Sequence, residues 1–194
     1  MKILVIGGGR SGKSGYAERC AESLCADPSR RLYVATSVPF DEEMRLRIAK
    51  HREDRGSKYV TCEEPHDLAG VLRRLPDNVE VVLIDCLTVW LGNLMYQEEL
   101  EAEKNGKPIS FRTEDREKMF GEEIDFLEEL AKCNRHVVIV SNEVGLGLIP
   151  GDAYSRRFRD LAGRLNQRTA QIADCAVFMA AGLPLVMKGT SPLQ

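Results

Sequence analysis

The chain has 194 residues, 43% of them hydrophobic and 29% charged, with a formal net charge of −3. This balance describes an ordinary globular chain large enough to bury a core. It offers no electrostatic case for nucleic acid or an anionic membrane as the main partner.

Residues 2–6 are an apolar, largely β-branched run that reads as a strand, and residues 13–25 are compatible with a helix. Between them stands Gly7-Gly8-Gly9-Arg10-Ser11-Gly12-Lys13-Ser14, which meets every fixed position of the phosphate-loop pattern G-x-x-x-x-G-K-[ST]. Glycines let backbone N–H groups close around phosphate oxygens, and the helix N-terminus adds the positive end of its dipole. Lys13 is suited to reach the outer phosphates, and the Ser14 hydroxyl to ligate Mg²⁺. The octet predicts a nucleotide site.

Residues 31–36 read as a second strand after the Asp27-Pro28-Ser29 turn. Asp41 can cap a helix running to about Arg55, where Gly56 offers a stop. A short strand at 59–62 precedes a helix at 66–75, which Pro76 ends. Residues 79–85 form an apolar run closed by an acid, hence a buried strand, and 87–100 are helical. Residues 101–112 are polar, with Asn105-Gly106 and Pro108 marking a surface loop. Thr113 can cap a helix to about Lys132, and 136–141 are another buried strand. Tyr154, Phe158, Leu161 and Leu165 have helical spacing, and 176–179 make a late strand. This alternation predicts an α/β fold with a parallel, doubly wound sheet, in one domain over residues 1–194 without internal repeats.

No apolar run approaches the roughly 20 residues of a membrane span. The start of the chain is too short in apolar residues for a secretory signal, so a cytoplasmic location is expected. The six cysteines show no C-x-x-C pair and no His at ligand spacing, which favours reduced, buried thiols over zinc or disulfides.

The second half of a nucleotide site is expected at the carboxyl ends of neighbouring strands. Asp85 stands there and has the form of an acid that holds Mg²⁺ directly or through water. Cys86 follows it where motor-type ATPases commonly place a water-activating Glu, so transfer to a bound acceptor fits better than hydrolysis. Arg47, His51 and Arg55 share a helix face at i, i+4, i+8. Cations around His51 favour a neutral imidazole able to act as nucleophile or base; a solvated basic face carrying an incidental His is the alternative. His66 and His136 lack such company and read as structural. Arg156, Arg157, Arg159, Arg164 and Arg168 follow the loop 142–151, and against them the helix sets only Asp160. That face is suited to phosphate or to another subunit, or is simply exposed.

These segments together carry a resemblance. The phosphate loop, Ala35-Thr36-Ser37, the H-R-x-x-R run at 51–55, Leu83 to Thr88, Asn142-Glu-Val-Gly-x-Gly147 with Pro150, and the stretch 158–167 resemble the bifunctional adenosylcobinamide kinase/adenosylcobinamide-phosphate guanylyltransferase family of cobalamin biosynthesis, over essentially the whole chain. The resemblance implies a three-layer P-loop NTPase-like (RecA-like) fold, with a mostly parallel sheet that can carry an antiparallel edge. It implies ATP and GTP as substrates with Mg²⁺, an adenosylcobinamide acceptor, and a homotrimer. It also implies that His51 is the guanylylated nucleophile, with Lys13 beside it in catalysis. Nucleotide contacts then fall on Gly7, Gly8, Gly9, Arg10, Ser11, Gly12, Lys13, Ser14, Thr36, Ser37, Arg52, Glu53, Asp54, Arg55, Glu63 and Asp85, and Mg²⁺ on Ser14 and Asp85. The chain departs from the family pattern at Gly56 and Tyr59, where many relatives carry Pro and Trp. A small-molecule kinase without nucleotidyl transfer, and a non-catalytic nucleotide-binding module, are the other functions such a chain could serve.

Overall fold

The structure is a computed structural model that describes residues 1–38, 42, 45–46, 53, 56–106, 109 and 119–193. Its described strands are β1 (Lys2–Gly7), β2 (Arg31–Ala35), β3 (Val60–Glu63), β4 (Val81–Asp85), β5 (His136–Asn142), β6 (Cys175–Ala180) and β7 (Leu183–Lys188). They form a single sheet in the order β3-β2-β4-β5-β1-β6-β7. All neighbours pair in parallel except β6 and β7, which pair antiparallel at the edge. The described helices are α1 (Lys13–Leu24), α2 (Leu68–Arg73), α3 (Leu87–Lys104), α4 (Gly121–Lys132) and α5 (Ala153–Ile172).

Period-two alternation along the strands divides the core into two layers. Val82 and Ile84 of β4, with Val137 and Ile139 of β5, face a cluster built from α2, α3, α4 and α5. Val81 and Leu83, with Val138 and Val140, face the opposite cluster, where α1 contributes Tyr16, Ala17, Cys20 and Ala21. Strands buried on both faces need continuous apolar runs, which is what these segments supply. On the broader side Trp90 and Phe126, both fully buried, meet edge to face at 5.4 Å.

The boundaries differ from the sequence expectation in instructive places. Helix α3 continues to Lys104, because Glu101, Ala102, Glu103 and Lys104 are good helix formers, and stops at Asn105-Gly106 with Gly106 at φ 61. Helix α4 is described from Gly121, where the Glu123 carboxylate accepts the Phe120 N–H at 2.8 Å. The expected cap, Thr113, lies outside the described residues. The antiparallel edge that the family resemblance implies is the β6–β7 hairpin, and Pro184 is tolerated in β7 because that strand lies at the sheet edge.

Candidate active site

Parallel pairing brings the carboxyl ends of β1 to β6 to one edge of the sheet. Gly7 pairs with Asn142 across β1 and β5, and Asp85 pairs with Val140 across β4 and β5. Asp85 is thus two strands from Gly7, on the order of 10 Å at the usual strand spacing. The phosphate loop links β1 to α1 with Arg10 at φ 58 and Gly12 at φ 89, both left-handed. Gly12, at the N-cap of α1, has no side chain to cap the helix, which leaves its first-turn N–H groups available to an anion. Lys13 Nζ donates to the Gly8 carbonyl at 3.1 Å, which holds the ammonium over the loop.

Contacts from elsewhere brace the loop. A Cβ on Gly7 would come within 2.5 Å of the Met179 carbonyl oxygen and 2.7 Å of Ser11 Oγ, so no other residue fits without a shift. The β6–β7 turn, with Ala181 at φ 51 and Gly182 at φ 80, lets the Gly182 N–H donate to the Ser11 carbonyl at 3.1 Å. Ser11 is buried, and its hydroxyl has no partner among the described residues.

The acid end is equally constrained. Tyr33 Oη donates to Asp85 Oδ2 at 2.9 Å, and the Tyr33 ring meets Tyr59 edge to face. Tyr59 in turn donates to the Glu18 carbonyl at 3.2 Å, and the Arg31 guanidinium stacks on it. Tyr59, one of the departures from the family pattern, is thereby a buried packing residue. Burial pushes its hydroxyl up to about 12, so it stays protonated. Thr36 is fully buried, and its hydroxyl both accepts the Cys86 N–H and donates to the Cys86 carbonyl, each at 2.9 Å. Asn93 Nδ2 donates to the Thr36 carbonyl at 2.8 Å. Thr36 therefore acts on the site through the backbone beside Asp85. Burial, then the Asp85 charge, pushes the Cys86 thiol up to about 11, which makes it a poor nucleophile at neutral pH.

Of the other expected positions, Ser14 sits half-buried in the first turn of α1, and Ser37 follows the end of β2. Glu63 closes the edge strand β3, four strands from β1, on the order of 20 Å from the phosphate loop. It can reach only the far end of a nucleotide or a second ligand. Glu53 is exposed. His51, Arg52, Asp54 and Arg55, with Arg47, lie outside the described residues.

One candidate surface changes character. Arg157 is buried, forks onto both Glu98 carboxylate oxygens (Nη2 to Oε1 3.1 Å) and stacks on Phe120. Arg156 donates to the Pro150 and Gly151 carbonyls at 2.9 and 2.8 Å. These two arginines hold the fold, leaving a less cationic face than the sequence implied. Sequence reasoning missed Tyr33, and it missed the Thr88 hydroxyl, which accepts the Asn142 N–H at 2.6 Å and meets Ser141 Oγ at 3.3 Å. Only the position of Tyr33 two residues before the end of β2 could have pointed to it.

Ser14 and Asp85 also bear on metal binding. The described residues hold no group of three or more His, Cys, Asp or Glu that could cage a metal. One carboxylate and one hydroxyl fit Mg²⁺, which usually completes its shell with phosphate oxygens and water.

Strand, glycine loop and uncapped helix at the carboxyl edge of a mostly parallel sheet define a nucleotide-binding protein of the P-loop NTPase-like α/β class. The fold aligns with the flagellar accessory protein FlaH of Methanocaldococcus jannaschii at TM-score 0.52 over 97% of this chain and 78% of that one; at 11% identity the likeness is of fold alone. The family model "Cobinamide kinase / cobinamide phosphate guanyltransferase" matches residues 3–187, and the chain belongs to that family. It is 39% identical to the bifunctional adenosylcobalamin biosynthesis protein CobP of Pseudomonas aeruginosa, over 97% of this chain and 98% of that one. It is 38% identical to the bifunctional adenosylcobalamin biosynthesis protein CobU of Escherichia coli, over 97% and 100% of the two chains.

Proposed function

We propose that the chain, acting as one domain over residues 1–194, carries out two transfers on one scaffold. In the first, the aminopropanol hydroxyl oxygen of adenosylcobinamide attacks the γ-phosphorus of ATP or GTP. The β–γ bridging bond breaks, the nucleoside diphosphate leaves, and the hydroxyl proton is released. In the second, a neutral His51 ring nitrogen attacks the α-phosphorus of GTP; the α–β bridging bond breaks and pyrophosphate leaves. A phosphate oxygen of the acceptor then attacks the guanylyl phosphorus. The N–P bond breaks, His51 is restored, and adenosylcobinamide-GDP forms.

Lys13 and the N–H groups of residues 8–14 hold the charge that moves onto the phosphates, which is most of what phosphoryl transfer asks of a protein. Ser14 and Asp85 would hold Mg²⁺, which would supply neutralising charge beside the phosphates. Thr36 fixes the turn after β4. Ser37, Arg52, Glu53, Asp54, Arg55 and Glu63 supply the remaining nucleotide contacts. A homotrimer belongs to this reading, and the exposed row Leu183, Leu185 and Met187 on edge strand β7 offers it a surface. So does a cytoplasmic location, which suits six cysteines that are all free thiols.

The observation that carries the proposal is the family match across residues 3–187, on a chain whose glycine loop leads into a helix start that Gly12 leaves uncapped. Incubation with GTP labelled at the α-phosphate tests it. The protein is expected to retain acid-labile label without acceptor and to release it to adenosylcobinamide phosphate, and His51→Ala is expected to take up none. A wild-type protein that never becomes labelled refutes the transferase half; label that survives in His51→Ala refutes the assigned nucleophile.

A further inference from the structure

The loop between β5 and α5 carries three large aliphatic side chains into solvent: Leu146 is 80% exposed, Leu148 96% and Ile149 73%. The loop is pinned at both ends. At its root the Glu143 N–H donates to the carbonyl of Gly7, the first residue of the phosphate loop, at 3.0 Å. Asn166 Nδ2 donates to the Asn142 carbonyl at 3.1 Å, and Glu143 Oε1 accepts the Gly145 N–H at 2.5 Å. At its exit, the Arg156 bonds to Pro150 and Gly151 clamp the chain as it enters α5. The aliphatic tip, residues 146–149, is therefore presented from fixed ends on a loop whose root residue Glu143 is bonded to the phosphate loop, instead of folding back onto the core.

Clustered aliphatic surface on a braced loop marks a place that a ligand covers. The triphosphate has no use for it, because its oxygens are met by N–H groups and Lys13. The acceptor does. A corrin macrocycle presents methyl-rich edges and apolar faces between its amide arms, while the arm that reacts must extend to the phosphates. We propose that Leu146, Leu148 and Ile149 form an apolar platform for the corrinoid acceptor, holding its ring while the aminopropanol arm reaches the phosphate loop. The proposal rests on the kinase and transferase reading above and assigns that site's acceptor side.

The test compares the full-length wild-type chain, Leu148→Ser/Ile149→Ser and Leu148→Met. Three measurements are made on each: adenosylcobinamide affinity by absorbance titration, self-labelling from α-labelled GTP without acceptor, and mass by light scattering. The double serine variant is expected to bind adenosylcobinamide about tenfold or more weakly, as loss of two aliphatic side chains that the bound ring covers implies. Its self-labelling and mass should match wild type, and Leu148→Met should keep the affinity. Unchanged corrinoid affinity in the double variant overturns the platform. Weaker affinity accompanied by a smaller assembly also overturns it, since the patch then belongs to contact between copies. A wild-type chain that neither self-labels nor binds adenosylcobinamide removes the underlying reading as well; one that self-labels while the double variant binds normally removes the platform alone.

Discussion

Glu123 is fully buried, and its Oε1 has no partner among the described residues. Burial raises its carboxyl from 4.5 to about 7, against smaller lowering effects of the Phe120 N–H and of Arg157. Because the folded-state pKa lies above the unfolded one, the folded protein keeps this proton while the unfolded chain loses it. Stability therefore falls as pH rises from about 4.5 to about 7, then stays at the lower level. At about 1.4 kcal/mol per pH unit, the loss across that window is on the order of 3 kcal/mol. Glu123→Gln keeps an oxygen to accept the Phe120 N–H but has no proton to lose. Urea unfolding of both proteins from pH 4.5 to 8.5 checks this. The variant should match wild type at the acid end and exceed it by about 3 kcal/mol above pH 7. Groups common to both cancel in the difference. A difference that does not change with pH, or a variant less stable at pH 8, refutes the assignment of a protonated, desolvated carboxyl.

Tyr33→Phe removes the hydroxyl that holds Asp85 Oδ2. It should cost about 0.5–1.5 kcal/mol in thermal or urea unfolding and raise the Mg²⁺ concentration needed for half-maximal nucleotide binding severalfold, without altering binding at saturating Mg²⁺. An unchanged Mg²⁺ requirement would make Tyr33 a packing residue only. Gly7→Ala forces a methyl against the Met179 carbonyl and Ser11 Oγ, and should destabilise by about 1–3 kcal/mol while weakening nucleotide binding. A variant that melts and titrates like wild type would show that the loop adapts.

The phosphate loop was legible because its chemistry is local: eight consecutive residues set the turn, the donors and the helix start. The alternation of β4 and β5 was legible for a similar reason, since strands covered on both faces must be apolar throughout. Long-range pairing was not. Nothing near Arg157 announces that Glu98, on another helix 59 residues earlier, takes its charge. Nor does the run around Tyr33 reveal that β2 will lie beside β4 and bring its hydroxyl to Asp85, 52 residues on. The resemblance implied an antiparallel edge, but its place at 183–188 was not legible, because Pro184 and an exposed apolar row suit an edge, a position only the assembled sheet defines.

The bond from the Gly182 N–H to the Ser11 carbonyl joins the two extremities of the chain's path: its first turn and its last hairpin. Opening either one requires breaking this bond. The turn between β6 and β7 thus forms one wall of a loop that lies some 170 positions away in the chain.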